Sequence, residues 1–442
     1  MAKTLTSSPE WNLLFEMLED PSVSELTVND FDKIFVKKSG KRRKVHSITI
    51  GDNTEEYIES IEEHLAPIIN DGAEFRPDMA LFEGPISYIG KDGQEIYGRG
   101  HLVLDPAATY APLFTFAKRS TSLLTLDHIM KTGAMNDQML RFIKAAVYAD
   151  STIVFSGATG AGKTTFLEAC TKLLPMDTRI GVCEDTPELR LMQDNVAYQK
   201  SHPQRPGMKP EDVITLQWVV KQVNRMRTDR IIVGEVRGAE FADFLVAANS
   251  GMEGSMITIH AEDSTQCLQK MTKFALQGSG ENVGMRSVNI DIANSVHLII
   301  QLSISPTGKH YVKEITEVTK TVSSNDSTAA ITTQPLWKYD EVNEFHEKVG
   351  SMTDDLRKKF RQKGIDVAEF LGQNTKAPEG APINEPSWLE GFGPEKDEVL
   401  KERQISADPR FSKDSPEPQE RMRRRGLGRR AGIPKDGDRR IK

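Results

Sequence analysis

The stretch SGATGAGKTTFLEA, residues 156–169, has residue types and spacing that suit the binding of phosphate. It fits the pattern G-x-x-x-x-G-K-[ST] at Gly157, Gly162, Lys163 and Thr164. Glycines let successive backbone N–H groups turn towards a phosphate, the lysine reaches the terminal phosphates, and the threonine hydroxyl can ligate Mg²⁺. We therefore assign nucleotide binding to the nine residues of the loop: Gly157, Ala158, Thr159, Gly160, Ala161, Gly162, Lys163, Thr164 and Thr165.

The residues on either side of this loop supply the structural context that it needs. Residues 152–155 form a short apolar run that predicts a buried strand, and residues 164–170 predict a helix. The N-terminus of such a helix adds the positive end of its dipole to the phosphate site. A glycine-rich turn without a ligand is the alternative, and the order of strand, loop, Lys-Thr and helix argues against it.

Two carboxylates follow the next predicted strand, in the segment RIGVCEDTPELRL at residues 179–191. Glu184 and Asp185 end the apolar run and therefore lie at the sheet edge where the terminal phosphate must be. One of them can position or deprotonate an attacking water. The sequence Asp-Thr-Pro-Glu at 185–188 is also a possible helix start, which is the structural alternative.

Glu235 and His260 follow two later apolar runs in the same way. In DRIIVGEVRGAE, residues 229–240, Glu235 lies where many P-loop enzymes have an acidic residue that organises Mg²⁺. In GSMITIHAE, residues 254–262, His260 would emerge beside the phosphates and hydrogen-bond the γ-phosphate or the catalytic carboxylate. A simple turn and a structural histidine are the alternatives at these two positions.

The elements that position these residues can be predicted from the spacing of apolar residues. Helices are predicted at 135–148, 212–226 and 238–249, between strands at 152–155, 179–183, 230–233, 255–259 and 296–301. This alternation is typical of a parallel sheet with helices on both faces, whose ligands bind at the carboxyl ends of the strands. All four motifs fall at such ends.

The flanking segments indicate further domains. Residues 9–116 combine two helical patterns with strands near 24–29, 33–38, 86–89 and 101–104. The predicted fold class is α/β, a RecA-like P-loop NTPase core with a smaller N-terminal α/β domain and a disordered C-terminal tail. The predicted boundaries are 1–117 for the N-terminal domain, 118–125 for a linker, 126–340 for the core, 341–373 for a helical extension and 374–442 for the tail.

Composition limits the function classes. The 442 residues carry a net charge of −7, yet residues 421–442 hold ten Lys or Arg against two acidic residues. The tail is therefore a candidate contact for an anionic membrane, whereas the acidic body argues against direct binding of nucleic acid. No run approaches the roughly 18 apolar residues of a membrane span, and the start of the chain lacks the apolar region of a signal peptide. We expect a cytoplasmic protein with reduced, packed cysteines.

Taken together, GATGAGKTT, EDTPEL, IIVGEVRGAE and GSMITIHAE resemble the Walker A, Asp, Walker B and His boxes of the secretion or traffic ATPase superfamily. These proteins power type II secretion, type IV pili and type IV secretion. DPSVSELTVND, ANSVHLIIQLS and VKEITEV are most similar to the Tad/Flp pilus branch, and EDTPEL suits the type IV secretion branch. The resemblance covers roughly residues 10–370.

The resemblance implies a role for each matching residue. Lys163 and Thr164 would bind the phosphates and Mg²⁺, Glu184 would be the catalytic base, Glu235 would organise Mg²⁺ or water, and His260 would sense the γ-phosphate. It also implies ATP and Mg²⁺ as ligands, a homohexamer peripheral to the cytoplasmic membrane, and an inner-membrane platform protein as partner.

The family also implies cations that reach the nucleotide across domains or subunits, and here the sequence departs from the pattern. Phe-Ala-Lys-Arg at 116–119 replaces the usual Ile-Arg pair, and Gly-Gln-Glu at 93–95 lacks the expected arginine. Arg99, Lys118 and Arg119 are the substitutes that we assign to catalysis, and the alternatives from the core are Arg225, Arg227 and Arg230.

Four functions are compatible with a P-loop. The favoured one is a hexameric motor for a Tad/Flp-type or archaeal-like pilus or for secretion, with a type IV secretion or conjugative transfer ATPase as its alternative. A small-molecule kinase is disfavoured by the long N-terminal domain and by Gly-Glu at 234–235. A RecA-like DNA translocase is disfavoured by the acidic body, and a scaffold by the complete set of catalytic positions.

Overall fold

The computed structural model describes residues 6–38, 40–69, 80–91, 93, 95–119, 124–204, 209–280, 282–322 and 330–370. These residues form two compact units, divided between residues 119 and 124. The predicted tail, 374–442, lies outside the described residues.

The first unit is built on a six-stranded antiparallel sheet in the order β3-β2-β1-β6-β5-β4. Alternate strand residues such as Phe114 and Phe116 are buried with Trp11 and Tyr57 of the helices, so the core is on the helical side of the sheet. The elements are α1 (Pro9–Glu16), a 3₁₀ turn (Met17–Glu19), β1 (Val23–Val28), β2 (Ile34–Lys38), β3 (Lys41–Val45), α2 (Thr54–His64), α3 (Ala66–Ile69), β4 (Leu81–Ile89), β5 (Glu95–Val103) and β6 (Leu113–Arg119).

This unit has two strands more than the sequence predicts. β3 is almost entirely basic and exposed, so it lacks the apolar alternation of a strand. β6 includes Lys118 and Arg119, which we placed in the linker. Its register with β5 extends to that point, because Arg119 is opposite Tyr97 and Lys118 is opposite Gly98.

The second unit is a nine-stranded sheet in the order β15-β14-β13-β12-β7-β11-β10-β8-β9. Its elements are α4 (Leu126–Lys131), α5 (Asp137–Tyr148), β7 (Ile153–Gly157), α6 (Lys163–Thr171), β8 (Ile180–Glu184), β9 (Val196–Lys200), a 3₁₀ turn (Pro210–Asp212), α7 (Leu216–Val223), β10 (Arg230–Val236), α8 (Glu240–Asn249), β11 (Met256–Ile259), α9 (Ser264–Gly278), α10 (Met285–Ser295), β12 (Leu298–Ile304), β13 (His310–Val322), β14 (Ile331–Asp340), β15 (Phe345–Lys348), α11 (Asp354–Gln362) and a final 3₁₀ turn (Val367–Phe370).

The strands that carry the four motifs are neighbours in this sheet. β7, β11, β10 and β8 are adjacent and parallel, as predicted, so their carboxyl ends share one edge. β12 lies on the other side of β7, also parallel to it. Beyond β12, the strands β13, β14 and β15 extend the sheet in antiparallel fashion, which the alternating pattern did not predict.

Helices cover both faces of the sheet, as predicted for this α/β fold. Ile153 and Phe155 pack with α4, α5, α6 and α11, whereas Val154 packs on the opposite face with α7, α8, α9 and α10. The three cysteines are free and buried in these two layers: Cys170, Cys183 and Cys267.

The segment after residue 340 is part of this unit, and the predicted boundary there requires correction. β15 pairs with β14, so the sheet continues to Lys348. Phe360 of α11 packs against Phe142 of α5 with ring centroids 5.7 Å apart, and the ring centroids of Trp337 and Phe142 are 4.8 Å apart. Leu356 and Phe360, about one apolar residue per turn of this highly charged helix, are both buried in the core.

None of the helices within the described residues is long and apolar enough to cross a membrane.

Candidate nucleotide site

The phosphate loop joins β7 to α6 in the conformation that the motif requires. Gly160 and Gly162 have φ values of 78° and 88°, in the left-handed region that a side chain disfavours. Gly162 is the N-cap of α6, and no side chain among the described residues caps this helix. The N–H groups of its first turn and the positive end of its dipole are therefore suited to an anion. Thr164 is half-buried in that turn, and Thr165 is exposed.

Lys163 is a buried cation inside this loop. Its Nζ donates to the carbonyl oxygens of Gly157 and Ala158, both at 3.0 Å. Burial lowers the pKa of Lys163 to about 8, and the carboxylates of Glu235 and Glu188 offset only part of this effect. A phosphate would supply the negative charge that the buried ammonium lacks, so the site fits the ligand that the sequence predicts.

A chain of hydrogen bonds links Lys163 to Glu235 through His260. Lys163 Nζ lies 3.1 Å from His260 Nδ1, and His260 Nε2 lies 2.9 Å from Glu235 Oε1. An ammonium has no acceptor, so Nδ1 must accept and Nε2 must carry the hydrogen that it donates to Glu235. His260, just after β11, thereby connects the loop lysine with the carboxylate near the end of β10.

Glu235 is held in its ionised form by its neighbours. Burial alone raises the pKa of Glu235, but hydrogen bonds from His260 and Arg237 outweigh it and bring the pKa to about 2. Arg237 Nη2 lies 2.7 Å from Glu235 Oε2, and its Nη1 lies 4.0 Å from Asp185 Oδ2. Both oxygens of Glu235 therefore already accept hydrogen bonds, which suits contact with a metal ion through water.

Glu184 is almost fully buried at the end of β8 and binds backbone N–H groups. It is 4% exposed, and its Oε1 accepts the backbone N–H groups of Glu188 at 2.8 Å and Leu189 at 2.9 Å. These two bonds fix the segment after β8. Asp185 accepts the Ser201 hydroxyl at 2.6 Å, which secures the same segment to the chain that follows β9.

Glu188 is a half-buried carboxylate whose charge acts on the loop lysine. Burial lowers the pKa of Lys163, and the charges of Glu235 and then Glu188 oppose this effect; Glu188 also adds to the rise in the pKa of Arg237 that Glu235 and Asp185 cause. We did not predict a role for Glu188 or for Arg237, although both lie in the quoted motifs. The alternation of an extended strand end, which places residues two apart on one face, was a usable signal for Glu235 and Arg237.

Two of the predicted cations of the first unit, Lys118 and Arg99, have partners within that unit. Lys118 Nζ donates to the carbonyl oxygens of Leu18 at 2.6 Å and Asp20 at 2.7 Å, and burial lowers the pKa of Lys118. Arg99 pairs with Glu83 across β4 and β5. Arg119 is half-buried at the end of β6.

The alternative arginines of the core lie at the other edge of its sheet. Arg230 begins β10, whereas Glu235 lies near the end of this strand. The Arg230 guanidinium is buried, pairs with Asp150 and donates to the Gly254 carbonyl at 3.0 Å, so it has a structural role. Arg225 and Arg227 precede β10 and are exposed at the same end. All three therefore lie at the opposite end of β10 from Glu235.

Similar proteins come from conjugation and secretion systems. The probable conjugal transfer protein TrbB of Sinorhizobium fredii is 27% identical over 306 residues, which are 68% of this chain and 85% of TrbB. A putative conjugal transfer protein of Mycobacterium tuberculosis is 30% identical over 233 residues, 53% of this chain and 64% of that protein. The type IV secretion system protein VirB11 of Bartonella quintana is 28% identical over 190 residues, 42% of this chain and 52% of VirB11.

Two solved structures share the fold. The ATPase DotB of Yersinia pseudotuberculosis aligns with a TM-score of 0.52 at 14% identity, over 72% of this chain and 81% of that one. DotB of Legionella pneumophila aligns with a TM-score of 0.50 at 18% identity, over 68% and 78%. Residues 114–359 match the family described as type II/IV secretion system protein. Because this match covers more than half of the chain and includes every strand end that forms the site, the chain belongs to the type II/IV secretion system protein family.

Proposed function

We propose that this chain is a Mg²⁺-dependent ATPase that acts as a homohexameric motor at the cytoplasmic face of the membrane. The observation that supports it most is the hydrogen-bonded series Lys163, His260 and Glu235 beside an uncapped helix N-terminus. Through these hydrogen bonds, a change of charge at the phosphate site would alter the contacts of Glu235 near the end of β10. Family membership is consistent with a role in secretion.

Binding of ATP would use the loop as a cradle. Lys163 would exchange its contacts with the carbonyl oxygens of Gly157 and Ala158 for phosphate oxygens, and the N–H groups of the loop would surround the β-phosphate. Mg²⁺, held by the Thr164 hydroxyl and through water by Glu235, would neutralise phosphate charge. Glu235 suits this role because its low pKa keeps it ionised.

Two carboxylates, one at the end of β8 and one in the segment after it, would have different roles in hydrolysis. Glu188 would orient the attacking water and accept its proton, since it is the carboxylate of this segment whose charge acts on both Lys163 and Arg237. Glu184 would act as a positioning residue, because its Oε1 holds the backbone of Glu188 in place. This assignment replaces Glu184 by Glu188 as the proposed base.

His260 would report the state of the site. Withdrawal of Lys163 towards a phosphate would remove the donor to His260 Nδ1, and this nitrogen would then accept a hydrogen bond from water, or donate to a phosphate oxygen once it is protonated. The Nε2–H bond to Glu235 would transmit the change to β10 and Arg237.

A purified chain should release phosphate from ATP in the presence of Mg²⁺, and this release should stop when Mg²⁺ is chelated. Turnover that is unaffected by chelation would contradict the proposal.

Type IV secretion or conjugal transfer is the process that the TrbB and VirB11 relatives favour, with an inner-membrane platform protein as partner. Assembly of a Tad/Flp-type pilus is the second candidate, because the strands after residue 294 resemble that branch. Deletion of the gene should abolish DNA or protein transfer in the first case and surface pili in the second.

Hexamer formation is a separate expectation. Within the core, the arginines proposed as alternatives lie away from the loop of their own subunit, so additional cations for the γ-phosphate must come from elsewhere. We expect mass photometry to show a species six times the mass of the 49.4 kDa chain, enriched by a slowly hydrolysed ATP analogue. A strictly monomeric protein with full ATPase activity would exclude the ring.

A further inference from the structure

The hairpin formed by β2 and β3 carries an unusual concentration of positive charge. Residues 37–44, KKSGKRRK, contain six Lys or Arg and no acidic residue. β3 is the edge strand of the first unit's sheet, and Lys41, Arg42, Arg43 and Lys44 are all exposed. We call these six cations, Lys37, Lys38, Lys41, Arg42, Arg43 and Lys44, the basic hairpin.

The register places like charges opposite each other. Lys37 is paired with Arg42 across the two strands, and Lys38 is paired with Lys41 next to the turn. Directly opposed like charges destabilise a hairpin. Acidic partners of Lys38 and Arg42 neutralise one member of each pair, and an external anion would neutralise the other.

Acidic neighbours neutralise only half of this charge. Lys38 pairs with Asp20 at 2.7 Å, Arg42 with Glu25 at 2.7 Å, and Lys44 with Asp32 at 3.8 Å. Within the described part of the chain, Lys37, Lys41 and Arg43 form no ion pair. These three residues lie on both faces of the ribbon. Lys37 shares a face with Arg42, its partner across the strands, whereas Lys41 and Arg43 are neighbours of Arg42 along β3 and therefore lie on the other face.

The charge of the basic hairpin has a structural alternative, which is to keep the edge strand β3 from pairing with other sheets. Charged side chains on an edge strand do prevent pairing with other sheets. That function needs charge on the edge strand β3, but it does not need lysines on β2 directly opposite. The additional cations of β2 are what the edge function leaves unexplained.

We propose that the basic hairpin binds the surface of an anionic phospholipid bilayer, tip first, so that cations from both faces reach the headgroups. Such a surface is recognised by charge alone, without a shaped pocket. Single-stranded nucleic acid is a poorer fit, because its binding sites stack bases on aromatic residues, and residues 37–44 contain none. Duplex binding is disfavoured by the net charge of −7. This contact goes beyond the proposed ATPase function, since none of its residues belongs to the phosphate site.

The test is sedimentation of the full-length chain with liposomes of phosphatidylglycerol and phosphatidylcholine, or of phosphatidylcholine alone. The variant Lys37→Gln/Lys41→Gln/Arg43→Gln removes the three cations without an acidic partner. Each cation near an anionic surface raises partitioning about five-fold, so the variant should partition about 100-fold less. Wild-type binding should require phosphatidylglycerol, fall steeply with salt and persist in inorganic phosphate at matched ionic strength.

The matched control removes three exposed lysines of the second unit, Lys131→Gln/Lys209→Gln/Lys338→Gln. It changes net charge equally and should retain liposome binding. ATP turnover should be normal in both variants, which separates this proposal from the ATPase assignment. If the triple variant fails to fold, Lys41→Gln/Arg43→Gln on the edge strand should still partition about 25-fold less.

Three outcomes would overturn the proposal. One is equal sedimentation of the hairpin variant and the wild type. Another is an equal loss in the hairpin variant and the control, which would indicate a general effect of charge. The third is retention of liposome binding with loss of binding to a single-stranded or duplex oligonucleotide, which would make the hairpin a nucleic-acid contact.

Discussion

Replacement of Lys163 by alanine is expected to weaken ATP binding about 10- to 100-fold and to reduce turnover below detection. A hydrogen bond between charged partners contributes about 1.5–3 kcal/mol, and this ammonium would contact the phosphates whose charge increases during transfer. The loss of turnover exceeds the loss of binding because the contact between the ammonium and the phosphates strengthens as charge develops in the transition state. Calorimetric titration with a slowly hydrolysed analogue and release of phosphate from ATP measure the two effects.

Lys172, at the other end of the same helix, offers a matched control. It is also buried, its pKa is also lowered to about 8 by burial, and its Nζ donates to the Leu124 carbonyl at 2.7 Å. It follows the C-terminal end of α6, far from the first turn of that helix. We expect Lys172→Ala to reduce stability but to leave the ATP affinity of the folded protein intact. Equal affinities of Lys163→Ala and wild type would remove Lys163 from the phosphate site.

The second large effect is expected at Glu188. Glu188→Gln should lower kcat by about 100- to 10,000-fold with little change in nucleotide binding, because an amide cannot accept the proton of water. Its backbone N–H would still donate to Glu184, so the segment should keep its conformation. Single-turnover hydrolysis at saturating ATP separates the chemical step from binding.

Variants of Glu184 distinguish a positioning residue from a base. Glutamine keeps an oxygen that can accept the N–H groups of Glu188 and Leu189, whereas alanine leaves both without this acceptor. A positioning role predicts substantial activity in Glu184→Gln and little in Glu184→Ala. If both variants were inactive and Glu188→Gln retained wild-type turnover, Glu184 would be the base that the sequence first indicated. Activity in all three variants would direct the search to Glu235.

Local sequence was sufficient for the phosphate loop and for the order of the motifs. Gly160 and Gly162 are required by backbone conformation, which is a local property, and the apolar runs before Gly157 and Glu235 predict strands that the structure contains. Because parallel strands end at a common edge, the four motifs could be placed together without knowledge of the fold.

Tertiary structure decided which side chains meet at that edge. His260 contacts Lys163 across 97 positions of sequence, and spacing along a strand does not identify such a partner. The choice between Glu184 and Glu188 depends on backbone N–H groups that only the folded segment after β8 presents to a carboxylate.

The cations of the chain show the same limit. The sequence offers Arg230 and Lys118 as cations that could bind a phosphate. Because a buried charge needs hydrogen-bond partners, each of them instead donates to carbonyl oxygens within its own unit. The like charges of the basic hairpin became apparent only from the register of β2 and β3, because opposition across strands is a property of pairing. Sequence therefore established the chemistry available to this protein, and long-range contacts determined which residues are placed to perform it.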